Sequence, residues 1–282
     1  VSAFCNAGFD LMGEVSGPCS SVTSYTGNAL INVPLMFLIV VGGIVFFVWD
    51  DIKAHRLHVR HYHLQSKIVL CTSLILILLP ALFLYVFEFS RDCWSGLSAG
   101  ERILASLFQA ISPRTAGFNS VDLNMLSESS QLMTILLMIV GGSPGSTAGG
   151  IKTTTLALAL LCVRSVFQNQ ETIQCFNRRI PYDILRNAIA ILAMYLGLMF
   201  SASFLIVWLE HAALMEAAFE AASAVATVGL TLGITGDLTA ASRIILILLM
   251  YFGRVGGLTM LYALTNRKKL PVLLPQERIN VG

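Results

Sequence analysis

The sequence predicts an all-α membrane protein, and three observations carry that prediction. Hydrophobic residues make up 56% of the chain and charged residues only 12%, whereas soluble domains carry about 25% charged residues. Several stretches are apolar over about the 20 residues that a helix needs to cross a bilayer. A glycine-centred tetrapeptide recurs three times, which indicates an internal repeat.

Four apolar stretches are long enough to span, 30–49, 68–87, 188–209 and 244–264, and the pairs Gly42-Gly43 and Gly256-Gly257 interrupt the first and the last of them. A fifth, 132–163, is long enough to span but is interrupted by GGSPGSTAGGIKTTT at 141–155. Glycine, serine and proline deny that segment a stable helix, and polar backbone at membrane depth survives only where it faces protein or water. We therefore expect an irregular intramembrane loop inside the fifth stretch.

Shorter helical stretches at 101–111 and 214–224 cannot cross a bilayer. Each leads into a tetrapeptide, and the chain opens on a third one, so we interpret all three as ends of re-entrant hairpins in which a short helix enters and an extended segment returns. Their glycines are 109 and 112 residues apart, and Gly141 and Gly253 each follow a hairpin glycine by 24 residues. The tetrapeptides are Asn6-Ala7-Gly8-Phe9, Thr115-Ala116-Gly117-Phe118 and Thr227-Val228-Gly229-Leu230.

Basic residues orient these units. Four lie in each of the segments 50–67, 164–186 and 267–278, which is 12 of the 18 in the chain, so we predict that these segments are cytoplasmic. Eleven of the 16 carboxylates, Glu88 and Glu220 among them, flank the hairpins on the other side. They predict an acidic outer vestibule that concentrates cations, or else ordinary solvated loop charge. The net charge of +2 is too small to favour nucleic-acid binding.

Backbone at the hairpin ends has a chemical use. A row of carbonyl oxygens can replace the hydration shell of a cation, and glycine adopts the required backbone angles at no steric cost. We therefore expect an ion filter whose residues come from all three hairpins. They are Cys5, Asn6, Ala7, Gly8, Thr115, Ala116, Gly117, Thr227, Val228 and Gly229.

These segments resemble a known family. SAFCNAGFD, SPRTAGFNS and ATVGLTLG are similar to the second, third and fourth filter segments of the Ktr/Trk/HKT superfamily of potassium transporters. GGSPGSTAGGIKT resembles the intramembrane loop of its third repeat, YFGRVGGLT its fourth inner helix, and ERINVG the C-terminus of its KtrB branch. The resemblance implies four repeats around a cation pore, of which about two and a half are present. The second would end in 1–66, the third would be 67–180 and the fourth, with the tail, 181–282, so we expect the first repeat to precede residue 1.

The resemblance also implies a mechanism, which is passive, potassium-selective translocation with the 141–155 loop as a gate below the filter. Lys152 is costly in lipid and should face the pore interior or the cytoplasmic mouth. Arg254 should donate to carbonyls of the loop, or else serve as a donor between packed helices. The expected gate residues are Gly141, Gly142, Ser143, Pro144, Gly145, Ser146, Thr147, Gly149, Gly150, Lys152 and Arg254.

The partners and location follow from the same resemblance. It implies a homodimer, spanning the plasma membrane of a bacterial cell several times, in contact with lipid and with a cytoplasmic nucleotide-binding regulatory subunit of the KtrA/TrkA type. We expect no cofactor in the chain, potassium as the transported substrate, no other metal and no nucleic-acid partner. No catalytic constellation stands out, and the six cysteines form no CxxC pair, so we expect neither an enzyme nor a redox or zinc site.

Two alternatives from the sequence remain open. One is a sodium-permeable or sodium-coupled transporter of the same superfamily. The other is a membrane enzyme or ATP-driven transporter in which the glycine-rich loop holds phosphate; Gly145 and Gly150 have the spacing of a phosphate loop, but Ile151 occupies the lysine position and Lys152 comes one residue late. Four histidines at 55, 58, 61 and 63 suggest a metal site or, as we prefer, an interfacial or partner-facing helix.

Overall fold

The computed structural model describes residues 1–13, 17, 20–56, 58–170, 172–257 and 259. Within these ranges the chain is mostly helical with almost no strand, which confirms the predicted fold class. A π-helical turn, Leu84–Glu88, extends the third helix, and a two-residue hairpin pairs β1 (Gln174–Cys175) with β2 (Arg178–Arg179). The helices are α1 (Ala29–Gly43), α2 (Phe46–His55), α3 (Leu64–Phe83), α4 (Ala99–Ile111), α5 (Glu128–Ile139), α6 (Thr153–Phe167), α7 (Tyr182–Glu210), α8 (Leu214–Val225) and α9 (Ala240–Val255).

Two helices in the described part of the chain, Leu64–Glu88 and Tyr182–Glu210, are long and apolar enough to cross a membrane, and α1 with α2 makes a third if the bent pair is one span. The predicted spans 68–87 and 188–209 lie inside the first two. The break in 132–163 is also present, between α5 and α6. Residues 258 and 260–264 of the predicted span 244–264, and the basic tail at 267–278, lie outside the described residues.

The apolar stretch 30–49 is broken after Gly43, within the glycine pair expected to interrupt this helix, and α1 and α2 meet there at 97°. Ser143, one hundred residues away, holds the bend. Its backbone N–H and its hydroxyl both donate to the carbonyl oxygen of Gly43, at 3.0 and 2.9 Å. The same hydroxyl oxygen accepts the N–H of Val45 at 2.7 Å. Groups that a straight helix would pair internally are therefore paired with the intramembrane loop.

The short helices occupy the centre of the packing. Helix α8 packs against α5, α7 and α9, and α4 packs against α1 and α3. Small residues allow this close approach: Ala221 and Ala222 of α8 are fully buried, and a Cβ atom placed on Gly253 of α9 would lie 2.0 Å from the carbonyl oxygen of Val225. Both hairpin helices are therefore fixed at membrane depth by neighbouring helices rather than exposed to lipid.

The prediction of an acidic vestibule is wrong for two carboxylates, Glu88 and Glu220, because both are buried. Glu88 is fully buried and accepts hydrogen bonds from Arg91 at 2.7 Å, Trp94 at 3.1 Å and Ser130 at 2.7 Å. Glu220 is 4% exposed and accepts from threonine hydroxyls of the segment after the fourth-repeat hairpin. These two side chains join elements to each other, so they are not available as vestibule charge. Glu14 lies outside the described residues.

Candidate ion filter and gate

The backbone amides of the three tetrapeptides are bonded back toward the helix that precedes them. Ala116 N–H donates to the carbonyl oxygen of Ser112 at 3.0 Å, and Val228 N–H donates to that of Ser223 at 2.8 Å. In the chain's opening segment, Ala7 N–H makes the corresponding bond to Ser2, at 3.0 Å. The Ala116 and Val228 carbonyl oxygens lie beside the glycines of neighbouring segments.

The expectation of an extended strand after each hairpin helix is wrong in detail. In every tetrapeptide two alternate residues have left-handed backbone angles, with φ between 48° and 90°. A non-glycine residue rarely takes such angles, so strain is concentrated at these positions. The alternation turns the backbone twice over a short distance. The pairs are Asn6 and Gly8, Thr115 and Gly117, and Thr227 and Gly229.

The glycines of two segments meet the carbonyls of their neighbours. A Cβ atom placed on Gly117 would lie 2.2 Å from the carbonyl oxygen of Val228. One placed on Gly8 would lie 2.9 Å from that of Ala116 and 3.2 Å from that of Val228. Only glycine leaves this space open, and the carbonyl oxygens of two repeats point into it. The arrangement offers oxygen ligands of the kind that hard cations prefer.

The opening segment is the least enclosed of the three. Thr115 and Ala116 are fully buried and Val228 is 2% exposed, whereas Cys5 and Ala7 are exposed. Only the Asn6 side chain, at 6% exposure, is buried in that segment. Thus the structure brings Gly8 and Gly117 together beside Val228, the residue before Gly229, and it leaves Cys5 exposed.

The glycine-rich loop begins and ends at a narrow neck. Gly141 N–H donates to the carbonyl oxygen of Ile151 at 2.9 Å, and Ile151 N–H donates to that of Ile139 at 3.0 Å. The irregular backbone covers 140–152, and α6 starts at Thr153. The predicted loop end at 155 is therefore three residues too late, because Thr153–Thr155 already take part in helical bonds.

Three glycines of the loop lie against the lower ends of the filter segments. A Cβ atom on Gly149 would be 2.1 Å from the hydroxyl oxygen of Thr227, and one on Gly141 would be 3.2 Å from the methyl carbon of Thr115. Gly150 abuts Ala226 in the same way, at 3.3 Å. Larger side chains would collide, so the glycines allow the loop to lie directly against the filter.

Two basic side chains hold the other half of the loop. Arg254 donates from Nη1 to the carbonyl oxygen of Thr147 at 2.6 Å, which is the contact expected from the sequence. Lys152 donates from Nζ to the carbonyl oxygen of Ala148. The loop tip is set by Gly145, at φ 85°, whose Cβ position is 2.9 Å from the side chain of Val45. Pro144 and Ser146 complete this tip.

The glycine-rich loop joins two helices, α5 and α6, whereas a phosphate loop connects a strand to a helix. A phosphate loop also directs successive backbone N–H groups at its ligand, but here the N–H groups of Ser146 and Ile151 donate to backbone carbonyl oxygens of the protein. The partner outside the loop that sequence analysis did not single out is Val45, whose N–H donates to the Ser143 hydroxyl oxygen.

The four histidines do not share one helical face, because α2 ends at His55 and a short 3-10 helix, Val59–His61, follows. His55 and His63 approach one carboxylate oxygen of Asp51, at 3.9 and 3.6 Å. Within the described residues no group of three or more histidine, cysteine, aspartate or glutamate side chains could hold a metal ion.

Comparison with known proteins identifies close relatives. A family model described as "TrkH: Cation transport protein" matches residues 1–278. The chain is 34% identical to the Ktr system potassium uptake protein B of Bacillus subtilis over 283 residues and 34% identical to the potassium/sodium uptake protein NtpJ of Enterococcus hirae over 289 residues. All of this chain is covered in both cases, but it spans only 62% of each relative.

A solved structure has the same fold. The crystal structure of the potassium transporter TrkH from Vibrio parahaemolyticus superposes with a TM-score of 0.73, over 94% of this chain and 56% of that one. The two sequences are 19% identical over this match. This chain therefore shares the fold of that structure.

Proposed function

Because this chain belongs to the TrkH family of cation transport proteins, we propose that it forms part of a potassium-selective pore. One observation carries the proposal: glycines of two repeats face main-chain carbonyl oxygens of neighbouring repeats across a shared space. Such oxygens replace the water around a dehydrated cation. Ions cross passively, down their electrochemical gradient, and no bond is made or broken by the protein.

The filter residues have distinct roles in this proposal. Ala116 and Val228 supply carbonyl oxygens to the ion path, and Gly8, Gly117 and Gly229 keep that path free of side chains. Thr115 and Thr227 hold left-handed backbone angles below the glycines. Asn6, the buried residue of the opening segment, holds the same left-handed backbone position there.

The loop at 140–152 is the gate. It lies against Thr115 and Thr227, and its carbonyl oxygens are held by Arg254 and Lys152. Two positive charges beside the exit of a cation path raise the energy of a passing ion. Opening requires the loop to leave the filter, and glycine-rich backbone makes several conformations accessible at small cost.

Repeat boundaries at 1–66, 67–180 and 181–282 fit this arrangement. Gly141 and Gly253 occupy the same place after their hairpins, and each has its Cβ position 3.2 Å from the methyl carbon of a filter threonine. We infer a multi-pass protein of the bacterial plasma membrane that forms a homodimer, with a cytoplasmic nucleotide-binding regulator of the KtrA/TrkA type. The basic segments, which we place in the cytoplasm, give that regulator a surface.

A sodium-permeable pore is the second candidate. A relative of equal identity is named a potassium/sodium uptake protein. Carbonyl filters of similar form differ in how strongly they discriminate between the two ions.

Rubidium uptake into proteoliposomes containing the full-length protein decides between these candidates. Potassium selectivity predicts that external potassium blocks uptake and that equal sodium does not. Equal block by the two ions would support the sodium-permeable pore. No uptake, with or without the cytoplasmic regulator, would contradict translocation altogether.

A further inference from the structure

A basic cavity of about 980 Å³ opens beside the start of α3 and the β1–β2 hairpin. Its walls come from two segments more than one hundred residues apart in the chain. Four of the ten lining residues are arginine or lysine, two are histidine, and none is acidic. The lining residues are Arg60, His61, Tyr62, His63, Leu64, Lys67, Phe176, Asn177, Arg178 and Arg179.

Within the described residues, the basic side chains of this cavity form no ion pair with a carboxylate, since none of the ion pairs involves Arg60, Lys67, Arg178 or Arg179. Asp51 lies 3.6 Å from His63 and is already bonded to Ser66 and to the His63 N–H. Concentrated, uncompensated positive charge in a concave site is a binding place for an anion.

The hairpin presents two of these charges in a fixed way. Phe176 and Asn177 both have positive φ, which is the geometry of a two-residue type I′ turn, and Arg178 pairs with Cys175. Lys67 is oriented as well, because its Nζ donates to the carbonyl oxygen of Arg60 at 2.8 Å. Arginine at such a site matches the planar, two-oxygen edge of a phosphate group.

Two mostly apolar cavities continue from the basic one along the membrane helices. The first, of about 520 Å³, shares Phe176 and runs between α3 and α6 past Ile75 and Leu160. The second, of about 280 Å³, shares Leu64 and Arg179 and is lined by Ile68 and Leu158. A basic chamber at the end of two apolar grooves has the polarity of an amphiphile with an anionic head.

We propose that this composite site binds an anionic glycerophospholipid. Its phosphate group lies among Arg60, Lys67, Arg178 and Arg179, and an acyl chain follows the groove between α3 and α6. Basic pockets between membrane helices on the cytoplasmic side are suited to such headgroups. The bound lipid would join the start of α3 to the hairpin that precedes α7, and thus the third repeat to the connection before the fourth.

The test is a titration of the purified full-length protein with dioctanoyl phosphatidylglycerol, dioctanoyl phosphatidylcholine and inorganic phosphate, followed by the thermal unfolding midpoint. Phosphatidylglycerol should raise the midpoint at concentrations where the other two do not. The double variant Arg178→Gln/Arg179→Gln should bind it roughly thirtyfold more weakly. Each basic residue near an anionic headgroup contributes about a fivefold gain in affinity, and this variant removes two of them.

A matched control removes two positive charges outside the cavity. Lys53 and Arg56 lie in the basic segment 50–67 but do not line the cavity, so Lys53→Gln/Arg56→Gln should bind phosphatidylglycerol like the unmodified protein. Leu160→Trp fills the groove between α3 and α6. It should weaken phosphatidylglycerol binding without changing the response to inorganic phosphate. If the arginine pair fails to fold, Arg60→Gln takes its place.

Several outcomes would overturn the proposal. Equal binding by the cavity and control variants would mean that the cavity is not the site. A shift of the midpoint by phosphatidylcholine equal to that by phosphatidylglycerol would rule out recognition of an anionic headgroup. A response to inorganic phosphate as strong as that to phosphatidylglycerol would indicate a free-anion site. Unchanged lipid binding in Arg178→Gln/Arg179→Gln, with lost binding of the cytoplasmic regulator, would make the cavity a protein contact.

Discussion

The inner segments of the third and fourth repeats begin alike and then diverge. Gly141 and Gly253 each follow their filter glycine by 24 residues, and each leaves room for the methyl group of a filter threonine, Thr115 or Thr227. Helix α9 continues through its glycine as far as Val255. In the third repeat, α5 ends before the glycine and helix does not resume until Thr153.

The difference lies in where the backbone hydrogen bonds go. Around Gly253 the backbone is helical, and its carbonyl oxygen also accepts a hydrogen bond from the Tyr195 hydroxyl of α7 at 3.4 Å. The loop after Gly141 makes its bonds with itself, with Gly43 and with Arg254. Irregular backbone at membrane depth is tolerated when neighbouring protein satisfies it. The segment 240–255 is thus a continuous helix, whereas 140–152 is irregular backbone held by neighbouring residues.

The largest expected effect separates the two filter glycines. In Gly117→Ala the new Cβ meets the Val228 carbonyl oxygen at 2.2 Å, whereas in Gly229→Ala it meets nothing within 4 Å. Both changes add backbone strain of about 1–3 kcal/mol. We expect rubidium uptake to fall roughly a hundredfold for Gly117→Ala and about tenfold for Gly229→Ala, as strain of this size distorts the filter.

Gly197→Ala is the control for both changes, because its Cβ position in α7 is open. It should transport like the unmodified protein. Equal losses for the two filter variants would contradict the different crowding of the two glycines.

The shared part of the comparison is tested by Gly141→Ala and Gly253→Ala. Each Cβ would lie 2.0 Å from a backbone carbonyl oxygen, that of Gly149 or Val225. Because backbone cannot move aside as a flexible side chain does, each change should reduce the free energy of unfolding by about 1–3 kcal/mol. Thermal unfolding in detergent measures this. A loss confined to one variant would show that the two segments are not equivalent.

The role of Arg254 is tested by Arg254→Gln. Loss of a charge-assisted hydrogen bond to Thr147, of about 1.5–3 kcal/mol, should favour release of the loop and raise rubidium uptake roughly tenfold. Arg243 is the matched control, because on the same helix it donates to the carbonyl oxygen of Gly236 at 2.7 Å, away from the loop. Uptake that is unchanged in Arg254→Gln, or raised equally in Arg243→Gln, would rule out Arg254 as the gate partner.

The smallest effect concerns the link between loop and bend. Ser143→Ala removes the hydroxyl that bonds Gly43 and Val45, and it leaves a buried N–H unpaired at a cost of about 1–3 kcal/mol. We expect lower thermal stability and a rise in uptake of only about twofold to fivefold, because the Ser143 N–H still bonds Gly43. Ser146→Ala loses only a bond within the loop, and it should change stability less.

The sequence was sufficient to predict the apolar spans and the breaks between helices. The spans 68–87 and 188–209, the break within 132–163 and the two short hairpin helices follow from apolar length and glycine position, which are local properties. The resemblance to the Ktr/Trk/HKT superfamily is confirmed by the family match. The filter and gate roles of individual residues stay predictions.

Features that depend on distant partners escaped the sequence. The bend between Gly43 and Phe46 is held by a hydrogen bond from Ser143, one hundred residues away. No local sequence pattern predicts a bond between such distant residues. Glu88 reads as loop charge until Ser130 and Trp94 are seen to enclose it. The left-handed angles at Thr115 and Thr227 are likewise set by packing, since threonine has no local preference for them.

Rubidium uptake by a variant without the loop is the most direct test of the proposal that the loop is the gate. The full-length protein lacking 143–149 is reconstituted beside the unmodified protein, at equal protein density, and rubidium uptake is followed with potassium or sodium outside. A gate that rests against an intact filter predicts faster uptake, by roughly tenfold or more, still blocked by potassium and not by sodium. Uptake that stays the same or falls in a correctly folded deletion variant would contradict the assignment of this loop as the gate.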